Sequence, residues 1–382
     1  MRTLHFTLAA LLSGVIALPA LSAMPDAGEG PSLPRVPPAT HDAGGQYDTP
    51  PRLPKGFEVP YPERLKGSGN VGAVLVRARV SASGLLSDLA VLQSHHAAIE
   101  DAVIDALLDA RMEPATRNGQ PVEATVLIPI QFKYRPPQGR WYAREGILPY
   151  TLPKKSGDTL PAELRYDKPP RPVLATLPVY PYALAQQGIE GSAKVAFVVG
   201  KHGRVTETRI LESSHPEFGL ATAAMLESWT FLPARRDGQP TAAMFVKEQT
   251  FSGDNRDTAL TDVDQGLLDE TGKVDTRPYV LTELDHVPAA RYRVTPPYPR
   301  ALAGQSLHET VMIEFILDKA GRVHLPRIVN AVHPEFGWSA ATALARWRFE
   351  PPLRQGQPVL ARLRIPFEFK PAEHAVQSRE FP

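Results

Sequence analysis

The sequence predicts an α+β fold used three times: three tandem two-layer modules, each a three-stranded antiparallel sheet packed on a helix, joined by Pro-rich linkers. Three observations carry this. First, markers recur with offsets of 119 and then 118 residues: Gly84, Gly203 and Gly321; Pro62, Pro181 and Pro299; Gly119, Gly238 and Gly356; Phe132, Phe251 and Phe369. That period is far longer than the roughly 20–50 residues of a solenoid unit, so each copy is a whole domain. Second, the apolar pattern inside each copy runs from period two to helical and back to period two. Third, 40 of the 382 residues are proline, about twice the usual share of roughly 5%. Prolines are kept out of helix interiors and central strands, so they mark element ends and linkers.

Each copy reads the same way. A lead-in carries Tyr61-Pro62, Tyr180-Pro181 or Tyr298-Pro299, and a short helical stretch follows, cored by Ala183-Leu184-Ala185 and Arg300-Ala301-Leu302. In the first strand Val74, Val76, Ala78 and Val80 alternate onto one face, as do Val195, Phe197 and Val199, then Ile313, Phe315 and Leu317. Such alternation marks a half-buried strand. Turns at Ser83-Gly84, His202-Gly203 and Ala320-Gly321 reverse the chain into a second strand, over about 85–92, 205–211 and 323–329. A helix comes next: Ile99, Ala102, Val103, Ala106, Leu107 and Ala110 form one apolar stripe. Pro216 and Pro334 fall at its first position, where a missing N–H costs nothing, and Glu217 and Glu335 complement the helix dipole. Trp229 and Trp347 close the stripe; with Phe231 and Phe349 they are expected in the core. After a Gly-Gln-Pro turn the last strand covers 122–132, 241–251 or 359–369. The resulting division is a signal peptide at 1–22, a Pro-rich linker at 23–50, domains at 51–135, 167–252 and 286–370, linkers at 136–166 and 253–285, and a tail at 371–382.

With 42 basic and 41 acidic residues, the net charge of +1 gives no basic face for nucleic acid. No cysteine is present, which excludes disulfides, thiolate metal sites and a cysteine nucleophile. At the N-terminus Arg2 precedes the apolar run Leu8 to Leu18, and Ala20 and Ser22 fit the small-x-small rule for cleavage. The expectation is a cleaved signal and a periplasmic protein. The alternative is an inner-membrane anchor formed by uncleaved residues 4–23, facing the periplasm.

The ordered set of Tyr-Pro, a Gly hairpin after an alternating strand, Trp-x-Phe-x-Pro, Gly-x-Pro and Ile365-Pro366-Phe367-Glu368-Phe369 resembles the C-terminal domain of TonB. Copy three carries it most fully. Copy one has Ala110 and Met112 in place of Trp and Phe, and copy two has Val246-Lys247-Glu248 in place of Ile-Pro. The resemblance implies a periplasmic protein that binds extended, TonB-box-like segments of outer-membrane receptors by strand addition, linked to energised transport across that membrane. The alternative is a soluble periplasmic adaptor with three protein-interaction modules and no motor coupling. By the family pattern the binding edge is the final strand, with the Tyr-Pro lead-in beside it. That names Tyr298, Pro299, Val359, Arg362, Arg364, Pro366 and Glu368 first, then Tyr180, Pro181, Tyr61 and Pro62. Implied partners are a TonB-dependent receptor or another envelope protein, with self-association through sheet edges also possible; no cofactor and no enzyme activity are implied.

Other motifs read blandly. Gly67-Ser68-Gly69-Asn70-Val71-Gly72 fits Gly-x-Gly-x-x-Gly, but a strand follows where a dinucleotide site needs a helix. His96, His215 and His333 share one position before the helix, which reads as capping or turn packing. His308-Glu309 lacks the second His of a zinc-protease motif, and no Gly-x-Ser-x-Gly, P-loop or recurring carboxylate pair points to catalysis.

Overall fold

The computed structural model describes residues 47–62, 72–94, 97–132, 160–253, 260, 262–270 and 277–371. The expected signal peptide, the Gly67–Val71 part of the Gly-rich motif and His96 lie outside them.

Module one comprises β1 (Gly72–Val80), β2 (Leu86–Ser94), α1 (Ala97–Asp109), the short strands β3 (Ala115–Arg117) and β4 (Gln120–Val122), and β5 (Ala124–Phe132). Module two has β6 (Arg171–Leu174), α2 (Tyr182–Gln186), β7 (Gly191–Val199), β8 (Val205–Ser213), α3 (Pro216–Ser228), β9 (Thr230–Leu232), β10 (Ala234–Arg236), β11 (Gln239–Thr241) and β12 (Ala243–Phe251). A further helix, α4 (Asp262–Glu270), and strand β13 (Tyr279–Val280) follow. Module three adds β14 (Ala290–Tyr292), β15 (Glu309–Leu317), β16 (Val323–Asn330), α5 (Pro334–Leu344), β17 (Arg348–Phe349), β18 (Leu353–Arg354), β19 (Gln357–Pro358) and β20 (Ala361–Phe369). The sheets run β2-β1-β5, β8-β7-β12 and β16-β15-β20, antiparallel throughout these strands, with the first strand always central.

The alternating residues do what their period predicts. Val74, Val76, Ala78 and Val80 are buried, as are Val195, Phe197 and Val199, then Val311, Ile313, Phe315 and Leu317. The shared His-Pro-Glu-Phe-Gly is explained residue by residue. His215 Nδ1 accepts the Glu217 N–H as an N-cap, while His333 pairs with Glu309 at 2.7 Å. Phe218 and Phe336 are fully buried; Phe218 stacks on the last-strand Phe251, and Phe336 packs at a tilt against Phe369. Gly219 and Gly337 bring the helix down onto Ile210 and Ile328, where a Cβ has no spare room. The Trp229 and Trp347 indoles are buried, and each donates to a lead-in carbonyl, of Thr176 at 3.0 Å and Val294 at 2.9 Å.

Four features differ from expectation. The last strands begin at Ala124, Ala243 and Ala361, because the residues before them form a tight hairpin (β3–β4, β10–β11, β18–β19). In α1 the buried side chains include Ile104 beside Ile99, Val103 and Leu107, while Ala102, Ala106 and Ala110 are half-buried. The segment 253–285, expected as linker, contains α4 and β13, and β13 makes the third sheet four-stranded. Finally, the modules share cores. Tyr292 of module three sits in the core of module one, the copy that lacks the Trp. Trp338 of α5 sits in a core of module two. Arg291, Arg322, Arg346 and Arg348 of module three meet Asp109, Asp105, Glu100 and Asp101 of α1. Buried Glu227 of α3 accepts the Arg300 N–H at 3.0 Å.

Candidate functional site

Strand β20 runs beside β15 along its whole length, nine paired residues from Glu309↔Phe369 to Leu317↔Ala361. On its other side only β13 pairs, in parallel, at Tyr279↔Ala361 and Val280↔Arg362. The Tyr279 N–H donates to the Leu360 carbonyl at 2.9 Å. This bond fixes the phase of the edge. Main-chain groups alternate sides along a strand, so those of Arg362, Arg364, Pro366 and Glu368 face outward. Beyond Arg362, no strand among the described residues pairs with this edge. Pro366 has no N–H, so it leaves a gap in the row of donors. In module one β5 is terminal in its sheet. The repeat places Thr125, Leu127, Pro129 and Gln131 at the outward positions there.

Arg362, Arg364, Pro366 and Glu368 also project their side chains onto the sheet face away from α5. Arg364 pairs with buried Glu314 at 2.8 Å, and Glu368 pairs with His308 and Lys370, both at 3.0 Å. Val359 precedes β20, and its N–H bonds the Pro352 carbonyl at 2.9 Å. The Tyr-Pro residues are built into the modules. Tyr180 is buried edge-on against Phe218 and Phe251, and its O–H donates to the Ile189 carbonyl at 2.8 Å. Tyr298 lies edge-on to Phe336, donates to the Leu307 carbonyl at 3.1 Å and accepts the Leu307 N–H at 3.0 Å. Each tyrosine thus latches the loop that leads into the central strand. Pro181 and Pro299 are buried and start α2 and the 3₁₀ turn Arg300–Leu302. Tyr61 packs against the module-one core, and Pro62 beside it is half-buried. The Tyr-Pro pairs therefore support the sheet, while the final strands supply its open edge.

One recurring residue escaped the sequence reading. Asp48, Asp167 and Asp285 keep the 119 and 118 offsets. Each carboxylate accepts a backbone N–H at the tip of its hairpin, from Asn118, Asp237 and Gln355, which all have positive φ.

Helix α4 closes part of the outer face of the third sheet. Leu267 is buried there with Ile316 and Leu325, and Leu268 and Leu360 pack beside them. His324 clamps the helix to the sheet: Nδ1 meets Asp264 of α4 at 2.8 Å and Nε2 meets Asp318 at 3.2 Å. Burial pulls the imidazole down, but the two carboxylates outweigh it and push it up to about 9 from an ordinary 6.5. The other charged neighbour is Arg322, whose N–H bonds Asp318 and whose guanidinium is turned to Asp105. A raised folded-state value makes the clamp's contribution full below about pH 6.5 and lost as pH rises through about 9. Thermal melts should therefore show roughly 2–3 kcal/mol of stability lost between pH 6 and pH 10 that His324→Gln does not lose. Parallel pH profiles of wild type and variant would refute the clamp.

Among the described residues no group of acidic, His or Cys side chains is arranged to hold a metal ion, and no helix is long and apolar enough to cross a membrane. A family model described as Gram-negative bacterial TonB protein C-terminal matches residues 58–134, 176–252 and 294–371, together more than half of the chain. Protein TonB of Vibrio cholerae serotype O1 (strain ATCC 39315 / El Tor Inaba N16961) is 34% identical over 79 residues, covering 20% of this chain and 32% of that protein. The chain thus spans about a third of the length of that curated relative. The solution NMR structure of the Pseudomonas aeruginosa TonB CTD is 30% identical, covers 23% of this chain and 89% of its own, and superposes with a TM-score of 0.21. The chain belongs to the TonB C-terminal family and carries that domain three times in series.

Proposed function

We propose that the chain works in the periplasm, after removal of residues 1–22, and takes extended segments of outer-membrane receptors onto its final-strand edges as part of energised transport. The observation that carries this reading is the sheet order: β5 is a nine-residue strand at a sheet end, and β20 is a nine-residue strand whose outer side is paired by β13 only at Ala361 and Arg362, so both turn alternate N–H and C=O groups outward along most of their length. Such an edge is a template for an added strand. Main-chain pairing accepts many sequences, and side chains flanking the edge, Arg362, Arg364 and Glu368 in module three, select among them. Membership in the TonB C-terminal family supports a receptor as the source of the strand.

Titrating the isotope-labelled full chain with a synthetic TonB-box peptide of an outer-membrane receptor is expected to shift amide signals along β5 and β20 and to leave β2 and β16 nearly unmoved. Shifts that grow with protein concentration before peptide is added would mean that copies of the chain pair through the same edges. Silence on both strands at millimolar peptide would overturn strand addition.

A further inference from the structure

We propose that β13 is a displaceable occupant of the third module's binding edge, so that module three takes a full partner strand only after residues 277–283 let go. This rests on the strand-addition reading above. Four outward positions line the β20 edge. Arg362 is taken by β13, and Pro366 has no N–H. Only Arg364 and Glu368 then offer both a donor and an acceptor. A partner strand that left β13 in place would form too few main-chain bonds to hold. One that replaced it would gain Arg362 and the Leu360 carbonyl as well.

The strap is built to come away without unravelling. Its shape is held internally: Arg277 pairs with both oxygens of Glu283 at 2.7 and 3.0 Å, and Glu283 also accepts the Val280 N–H at 2.9 Å. Its apolar burial is limited to one end: Pro278 is buried and Tyr279 half-buried, while Val280 and Leu281 stay 43% and 44% exposed. Segments held by main-chain bonds with few apolar contacts open locally at low cost. The Tyr279 ring lies under the Arg354 guanidinium at 4.3 Å, a contact on the hairpin and outside the sheet core. Both flanks stay fixed when the strap opens. Asp285 holds the Gln355 and Gly356 N–H groups, each at 2.8 Å, and α4 is clamped through His324. The released strand therefore remains tethered beside its own edge and competes with any incoming segment at high effective concentration.

The chain has no cysteine, so the pair Val280→Cys/Arg362→Cys gives one disulfide that locks the strap, and reduction of the same protein reopens it. Tyr279→Pro removes the N–H that bonds Leu360 and opens the strap permanently. The probes are a synthetic peptide of residues 276–284 and the receptor peptide of the preceding section, each followed by amide shifts on β20. Tyr279→Pro should bind at least about tenfold tighter than wild type, and the oxidised pair should show no β20 shifts while its reduced form regains them. In wild type the Tyr279 N–H should exchange with solvent at least about a hundredfold faster than that of Ile313 in the central strand. Equal peptide binding by oxidised and reduced protein, or equal exchange at Tyr279 and Ile313, overturns the strap. If the strap opens in exchange but neither peptide reaches β20 in any form, the edge takes no added strand and both readings fail.

Discussion

Replacing Gly203 with alanine is expected to unfold module two. Gly203 closes the β7–β8 hairpin at φ +75°, a conformation that costs a side chain about 1 kcal/mol or more. Lack of space costs more. The Gly203 carbonyl accepts the Phe231 N–H at 2.7 Å, which ties the hairpin tip to the strand after α3, and a Cβ on Gly203 would run into the Phe231 carbonyl oxygen. That neighbour is backbone and cannot swing aside. Relief requires moving the tip off β9, which breaks the bond and shifts β8 against α3. The same arrangement recurs at Gly84 with Met112 and at Gly321 with Phe349. We expect a loss of about 4 kcal/mol or more for Gly203→Ala, in the range reserved for core disruption. Gly238 supplies the control. Its φ is +79°, but nothing lies within 4 Å of an added Cβ. Gly238→Ala should therefore cost only about 1 kcal/mol. Urea unfolding of the full chain, with hydrogen exchange to locate the loss in β7, measures both. Similar losses at the two sites would mean that backbone dihedral alone matters and that the close approach does not.

The parts of this fold that were legible in the sequence are those whose signal is local. Val74 to Val80 and its two counterparts alternate because one face of a central strand is covered and the other less so. His-Pro-Glu-Phe-Gly carries a cap, a first-turn proline, a dipole partner, a core ring and a close approach in five residues. Asp48, Asp167 and Asp285 were also legible by period. They were missed because they lie just at or before the boundaries drawn for each copy. What could not be read was set by partners far away in sequence. Helix α4 occurs once, so no repeat flags it, and its apolar residues are few: Leu267 and Leu268 mean little until Ile316 and Leu325 are opposite them. Strand β13 has two residues, too short for any periodicity. The candidate edge followed from the resemblance, but its outward phase and its partial occupation depend on the Tyr279–Leu360 bond, which no pattern in either segment announces. In α1 the spacing drew one stripe through Ala102, Ala106 and Ala110. Small side chains satisfy an apolar count equally well in a core and at a half-buried position, so periodicity could not tell the two apart.

The acidic face of that helix leads to the second large effect: Arg348→Glu is expected to part module one from module three. Arg348 is almost fully buried and reaches across to Asp101 at 2.7 Å and Asp105 at 2.8 Å. Burial pulls its guanidinium down, but the two carboxylates more than offset that and hold it charged at every accessible pH. Arg322 shares Asp105 at 2.6 Å, and Arg346 pairs with Glu100 beside it. Desolvating such charges is costly, so the cluster adds less net stability than its bonds suggest. Removing one member is a different matter, because it strands the others. Arg348→Met should cost about 3 kcal/mol: Asp105 keeps Arg322, and Asp101, 42% exposed, regains water. Arg348→Glu adds a buried carboxylate against two others, a repulsion that opening the interface relieves. Opening withdraws Tyr292 from the core of module one. Hydrogen exchange should then speed up in α1 and around Tyr292 while the β15–β20 pairing stays protected. Asp101→Arg placed on top of Arg348→Glu should recover part of the loss, since the ion pair is re-formed with its signs exchanged. If Arg348→Glu melts like wild type and α1 keeps its protection, the charges face water rather than each other, and the apolar contact of Tyr292 alone holds the two modules together.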